Sequence, residues 1–284
     1  MLIKRNLQLF FRDKANVFFS LMSVFIIIGL YALFMGDIMA QNLQVQLPFE
    51  SDLIKAAIGG IMLGGMVAVT SVTTCNGAIA ISIKDKESAA HDFLTSPISR
   101  ARIALSYVAA NTLIGLFMTT AALILCVVYL VLIGGSLPQW DTWLLLLGTT
   151  LLSVLCANSM MYFVSLFIKS RNAYSSFSTI TGTLIGFLMG IYLPIGQLPS
   201  SVGWLIRLFP MSHAASMYRE LLAGNDLQTL FYGAPAGTLQ GVREFFGVFF
   251  QIGPHETTLL TSALFLGATT LVFTLLSIWK LSKK

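Results

Sequence analysis

From Ile103 to Ile133 the chain runs 31 residues without one Asp, Glu, Lys or Arg. A helix of that length on a soluble domain would carry a charged or polar stripe along its outer face. Here the interruptions are a few hydroxyls, Asn111 and small residues. A membrane-spanning helix needs about 20 largely apolar residues. Five further runs meet that measure: Val17–Met35, Leu53–Ile83, Trp143–Ile168, Phe177–Leu193 and Leu259–Trp279. Only 10% of the chain is charged against 56% hydrophobic, where soluble domains hold roughly a quarter charged residues. The expectation is an all-α polytopic membrane protein with six transmembrane helices in a single domain, residues 1–284.

The second and third runs, at about 1.5 Å per residue, each reach about 46 Å against a hydrocarbon core of about 30 Å. Both helices are expected to project beyond the bilayer and to carry the polar tip between them, Asp85–Ser99. A tip of this kind must face water or another protein, because unpaired backbone groups are not tolerated in lipid. Residues 84–102 are therefore read as a coupling segment gripped by a partner. Its candidate contact residues are Asp85, Glu87, His91 and Asp92 for polar bonds, Phe93 and Leu94 as apolar anchor, and Pro97 as the stop of the tip helix.

Ahead of the first span, Leu2–Phe11 mixes Leu2, Ile3, Leu7, Leu9, Phe10 and Phe11 with Lys4, Arg5 and Gln8. This predicts an amphipathic helix in the interface over residues 1–16; a disordered basic tail is the alternative. The first run has no small-x-small cleavage site after it and is read as a retained helix.

Lysine and arginine placement sets the orientation. With the N-terminus inside, the inner segments hold Lys4, Arg5, Arg12, Lys14, Lys84, Lys86, Arg100, Arg102, Lys169, Arg171, Lys280, Lys283 and Lys284. The outer ones hold Lys55, Arg207, Arg219 and Arg243, a division of thirteen against four. Both termini and the tip are then cytoplasmic, in a plasma membrane of bacterial type. The net charge of +5 sits at helix ends and forms no basic face for nucleic acid. The long outer link, residues 194–258, is broken by Pro194, Pro199 and Pro210. Between them Val202–Phe209 is apolar but too short to cross, which predicts a re-entrant hairpin forming an external cap. The Phe231–Phe250 stretch reads as either an outer amphipathic helix or a loop.

Inside the spans no Asp, Glu, Lys or Arg stands at mid-depth, which lowers the case for an ion-coupled carrier. His91, His213 and His255 lie outside the spans, and no catalytic constellation or metal-ligand spacing is present. Cys75, Cys126 and Cys156 sit within apolar runs as small buried side chains. The second run holds Thr70, Thr73, Thr74 and Asn76, which either line a polar path or bond their own backbone. Gly182, Gly186 and Gly190 recur every fourth residue and predict a narrow packing face; Gly60 and Gly64 form a second pair. No glycine is followed by lysine, so the chain carries no P-loop. The chain itself holds no cofactor, and energy for active transport has to come from a partner.

The six-span plan, the segment Lys84–Arg100 (KDKESAAHDFLTSPISR) and the Pro194–Leu222 region resemble the membrane subunit of an ABC transporter of the ABC-2, or type V exporter, class. In the last region Leu198-Pro199, Phe209-Pro210, His213 and Glu220-Leu221-Leu222 are similar to the family's LP…P…H…R-x-L-L pattern. Many members have Gly-Thr where this chain has Ser88-Ala89. The resemblance implies a second permease subunit, identical or homologous, and two cytosolic ABC ATPase subunits that bind ATP and Mg. It also implies that the Asp85–Pro97 tip seats in an ATPase cleft and that the Leu2–Phe11 helix touches the ATPase. The expected function is export of an amphipathic or hydrophobic compound such as a drug, antibiotic, peptide or lipid-like molecule. A secondary transporter or channel is the alternative, and a membrane scaffold or intramembrane enzyme a more distant one.

Overall fold

A computed structural model describes residues 2–35, 51–88 and 100–283. Ten helices follow one another among these residues: α1 (Leu2–Arg12), α2 (Lys14–Leu30), α3 (Ser51–Ser88), α4 (Arg100–Leu132), α5 (Trp140–Ser165), α6 (Arg171–Leu188), α7 (Ser200–Leu208), α8 (Pro210–Leu230), α9 (Thr238–Phe245) and α10 (Leu259–Ser282). A π-helical turn, Tyr31–Met35, continues α2, and a 3₁₀ turn, Ile195–Gln197, precedes α7. A two-residue hairpin pairs β1 (Gln251–Ile252) with β2 (His255–Glu256) before α10.

Four of these helices, over Leu53–Asp85, Arg102–Leu132, Trp140–Ser165 and Leu259–Ser282, are long and apolar enough to cross a membrane. Of α3's most apolar window 89% is buried, and of α10's only 11%. So α3 is the axis of the molecule and α10 one of its outer staves. Around α3 pack α8, α4, α5, α2 and α6, with α10 against α5 and α8. The 38 residues of α3 span about 57 Å at 1.5 Å each, well past a hydrocarbon core of about 30 Å.

Two apolar runs give helices with other bounds than their hydropathy suggests. The fifth was expected over Phe177–Leu193. Its helix, α6, begins six residues earlier, where the Ser170 hydroxyl accepts from the Ala173 amide as N-cap. It stops at Leu188 because Gly190 adopts φ +62°, and the Gly190 and Ile191 amides then bond back to Phe187 and Gly186. A left-handed glycine just past a helix satisfies the last carbonyls and turns the chain. The first run becomes α2 plus the π-helical turn.

In residues 194–258, expected to form a re-entrant hairpin and external cap, one helix packs deep against α3. Pro210 opens α8 at its first turn, where a missing N–H costs nothing. From Met211 to Arg219 every residue of α8 is buried. The helix crosses α3 closely: a Cβ on Gly64 would lie 2.7 Å from the Arg219 amide nitrogen, and one on Gly60 3.0 Å from Leu222 O. That glycine pair makes a tight helix contact, backbone against backbone. The Phe231–Phe250 alternative resolves into a loop and the short helix α9. All three cysteines are free and buried.

Candidate functional site

At the α1 end of the bundle, α1 docks onto α3 and α4. Phe10 is fully buried against Ala78, Ile114 and Met118, a contact of about 2 kcal/mol for an aromatic of this size. Beside it a polar clamp closes. Arg5 donates from Nη1 to Asp85 Oδ2 at 2.8 Å and from Nη2 to Oδ1 at 3.2 Å. Tyr107 donates its hydroxyl to Asp85 Oδ2 at 2.5 Å. Three elements, α1, α3 and α4, thus meet on one carboxylate. The hydrogen bond it donates to Asp85 raises the Arg5 pKa above its ordinary value, against a smaller lowering by burial, so this guanidinium stays charged.

Asp85 was grouped by sequence with the partner-contact residues. Its carboxylate is instead buried and taken up by Arg5 and Tyr107, so it positions the ends of the long helices rather than facing a partner. The Glu87 side chain, and His91, Asp92, Phe93, Leu94 and Pro97 entirely, lie outside the described residues.

A second polar feature lies between α3 and α6. A groove of about 210 Å³ is lined by Thr73, Asn76 and Gly77 on α3, Ser178, Thr181 and Gly182 on α6, and Ser20 on α2. Asn76 is fixed there by Tyr174, whose hydroxyl donates to its backbone carbonyl at 2.8 Å and to its side-chain oxygen. The structure therefore brings Thr73 and Asn76 together at an opening. Thr70 and Thr74 are fully buried, and their hydroxyls donate to Met66 O at 3.0 Å and Thr70 O at 2.7 Å within their own helix. They are packing residues.

Within one chain, Gly182, Gly186 and Gly190 meet three different surroundings. Among the described residues, nothing beyond its own helix lies within 4 Å of a Cβ placed on Gly182, which leaves the groove open there. Gly186 lies under the Tyr192 ring of its own chain, and Gly190 ends the helix. Three glycines on one face serve three purposes, because the chain doubles back after Leu188.

Sequence reasoning counted Arg219 as an outer charge and so missed the largest fully buried side chain among the described residues. Its guanidinium is fully buried. Nε donates to Ile61 O at 3.2 Å, Nη1 to Gly247 O at 3.3 Å, and Nη2 to Gly190 O at 3.2 Å and to Met189 O. Met189 and Gly190 end α6, and Gly247 ends α9. Helix C-termini carry partial negative charge and unpaired carbonyls, so two helix ends stand in for a counter-ion. Gly65 admits the group; a Cβ there would lie 2.8 Å from Nη2. Next to it Tyr218 donates to Thr150 Oγ1 at 2.9 Å. The signal available in sequence was the glycine series Gly60, Gly64, Gly65 opposite an unbroken 21-residue helical segment with Pro at its first position.

His213 is buried between Phe250 and Phe265. The Arg207 carbonyl accepts from Nε2 at 2.9 Å, which leaves Nδ1 to accept from the Ser262 hydroxyl at 3.3 Å. Burial lowers its pKa below 6.5, so it is neutral at physiological pH. It joins the start of α8 to α10 and takes no part in a catalytic group. Among the described residues no cluster of His, Cys, Asp or Glu could hold a metal ion.

No curated protein matches the chain in sequence. The family model for the ABC-2 type transporter matches residues 1–223. That match covers α1 through most of α8, including the clamp, the groove and the Arg219 crossing. An apolar multi-helix bundle without a nucleotide loop is the form expected of such a subunit, and the chain belongs to the ABC-2 type transporter family as a membrane permease subunit.

Proposed function

We propose that this permease is the membrane half of an ATP-driven exporter that moves an amphipathic or hydrophobic compound out of the cell. It pairs with a second permease subunit and with two cytosolic ABC ATPases, which bind ATP and Mg. In this reading α2 and α6 complete six spans with the four long helices, and both termini are cytoplasmic in a bacterial plasma membrane. The α7–α8 pair is the re-entrant hairpin of the outer side, and α1 lies in the inner interface. Exposed Ile3, Leu9 and Phe11 alternating with Lys4 and Arg12 support that position for α1. The coupling segment, residues 84–102, seats in the ATPase, with Glu87, His91, Asp92, Phe93, Leu94 and Pro97 in or beside the contact. Cargo passes along Thr73 and Asn76.

The observation that carries this reading is the clamp. Through Arg5, Asp85 and Tyr107, α1 and the bases of α3 and α4 form one mechanical unit. A push on the tip then moves both long helices together instead of bending one end. The test is capture of ATPase activity by the tagged full chain. Phe93→Ala with Leu94→Ala should keep membrane insertion but lose most co-purifying ATPase and cellular export, since an apolar anchor contributes on the order of 2 kcal/mol to an interface. Full ATPase capture and full export by that variant would remove the tip as the point of power input.

A further inference from the structure

A second cleft, away from the polar groove, lies among α4, α5 and α10, three of the long apolar helices. Its volume is about 680 Å³, within the roughly 300–1,000 Å³ of small-molecule pockets. Leu105, Val108, Asn158, Tyr162, Thr274 and Ile278 are among its walls. The walls are preformed: Asn158 Nδ2 donates to Val108 O at 3.1 Å and to Thr112 Oγ1 at 2.8 Å, tying α5 to α4. The hydroxyls of Thr112, Thr270 and Ser277 donate to carbonyls of their own helices. Their donors are already engaged, which suits an apolar occupant. Leu105 and Ile278 remain 68% and 58% exposed, so the cleft opens sideways, toward lipid.

One end of the cleft is strongly basic. Arg102 precedes its α4 wall, Lys169 and Arg171 follow its α5 wall, and Lys280 and Lys283 flank its α10 wall. No Asp or Glu occurs in residues 100–112, 155–171 or 270–283. Lys280 Nζ lies 4.6 Å from the Phe167 ring centre and Lys283 Nζ 3.9 Å from that of Trp279. These pairs hold cations beside aromatic rings at the cleft's end, the arrangement that anchors a helix at a membrane interface.

We propose that this cleft binds an anionic phospholipid of the surrounding bilayer, with an acyl chain between α4, α5 and α10 and the phosphate at the basic end. Charge complementarity selects the headgroup, and the apolar, laterally open walls select the chain. A basic pocket between transmembrane helices is a physical match for such a lipid. The site stands on its own, whatever the chain exports.

The probe is phosphatidylglycerol with a photoreactive group on its acyl chain, in phosphatidylcholine vesicles holding the full-length permease. Adducts mapped by mass spectrometry should concentrate in Leu105–Thr112, Leu155–Leu166 and Thr270–Leu281. Unlabelled phosphatidylglycerol should displace them and phosphatidylcholine should not. Lys280→Gln and Lys283→Gln should each lower labelling about fivefold, as expected for one cation near a membrane surface. Thr274→Phe, or the milder Thr274→Leu, fills the cleft from an exposed position and should abolish or sharply reduce these adducts while insertion is kept. Adducts spread evenly over other helix faces, equal labelling by a phosphatidylcholine probe, or labelling indifferent to both Thr274 variants would each overturn the proposal.

Discussion

Removing the clamp's central carboxylate should release α1. In Asp85→Ala the bidentate pair with Arg5 and the bond from Tyr107 both disappear. Hydrogen bonds to a charged group contribute about 1.5–3 kcal/mol each when shielded. Arg5 is 39% exposed while Asp85 is 10% exposed, so its part is reduced by solvent screening. A net effect of about 2–3 kcal/mol is reasonable, which corresponds to roughly 30- to 150-fold in the docked-to-undocked ratio of α1. An 11-residue helix is not stable alone in water, so undocking should appear as loss of helix. Hydrogen exchange of the Leu7–Arg12 amides in the purified permease measures this directly. Protection should fall by that factor, partly retained through Phe10, and captured ATPase activity should fall with it. A double-mutant cycle with Arg5→Ala isolates the pair and should show coupling of about 1 kcal/mol or more. Unchanged α1 protection together with additive single mutants would refute the idea that this carboxylate holds the helix.

At the α3–α8 crossing, Gly64→Ala places a methyl against the Arg219 backbone and should lower thermal stability by about 1–3 kcal/mol, whereas Gly182→Ala, with open space around it, should change little; equal effects would displace the crossing from α3–α8. Arg219→Met leaves carbonyls at two helix ends without a donor and should destabilise by on the order of 3 kcal/mol; a melting temperature like that of the parent would mean those carbonyls find other donors. His213 has a folded pKa below 6.5, so the stability it contributes is complete above pH 6.5 and declines as pH falls through the folded value. His213→Gln should flatten the acid limb of a stability-against-pH profile, and an unaltered limb would assign it elsewhere. For topology, Gln240→Cys should label from outside sealed cells and Lys169→Cys should not, the three native cysteines being buried; the reverse pattern would invert the orientation.

Hydropathy alone located the four long helices to within a few residues, because an uncharged run leaves no other stable form in lipid. It placed the stop of α6 too late, since Leu193 is apolar whether or not Gly190 has already turned the chain. It also gave no sign of how closely α8 packs against α3. That segment holds Arg219, Glu220 and Asp226, and a mean over such a window cannot tell that Arg219 faces carbonyls while Glu220 pairs with Arg243. The site was legible in part. Thr73 and Asn76 do reach a common groove, but their neighbours Thr70 and Thr74 point into packed interior. Asp85 looked like a surface acid because nothing in its own stretch reveals a partner 80 residues earlier.

The surroundings of Arg219 set the order in which its bonds become available along the chain. Its donors rest on carbonyls from Ile61, from the end of α6 and from Gly247, and the last of these is synthesised 28 residues after the arginine itself. Three of its four carbonyl partners precede it in the chain, and the set is complete only once Gly247, past the end of α9, has been made. The crossing of α3 and α8 thus receives its last hydrogen bond from a segment made after both helices.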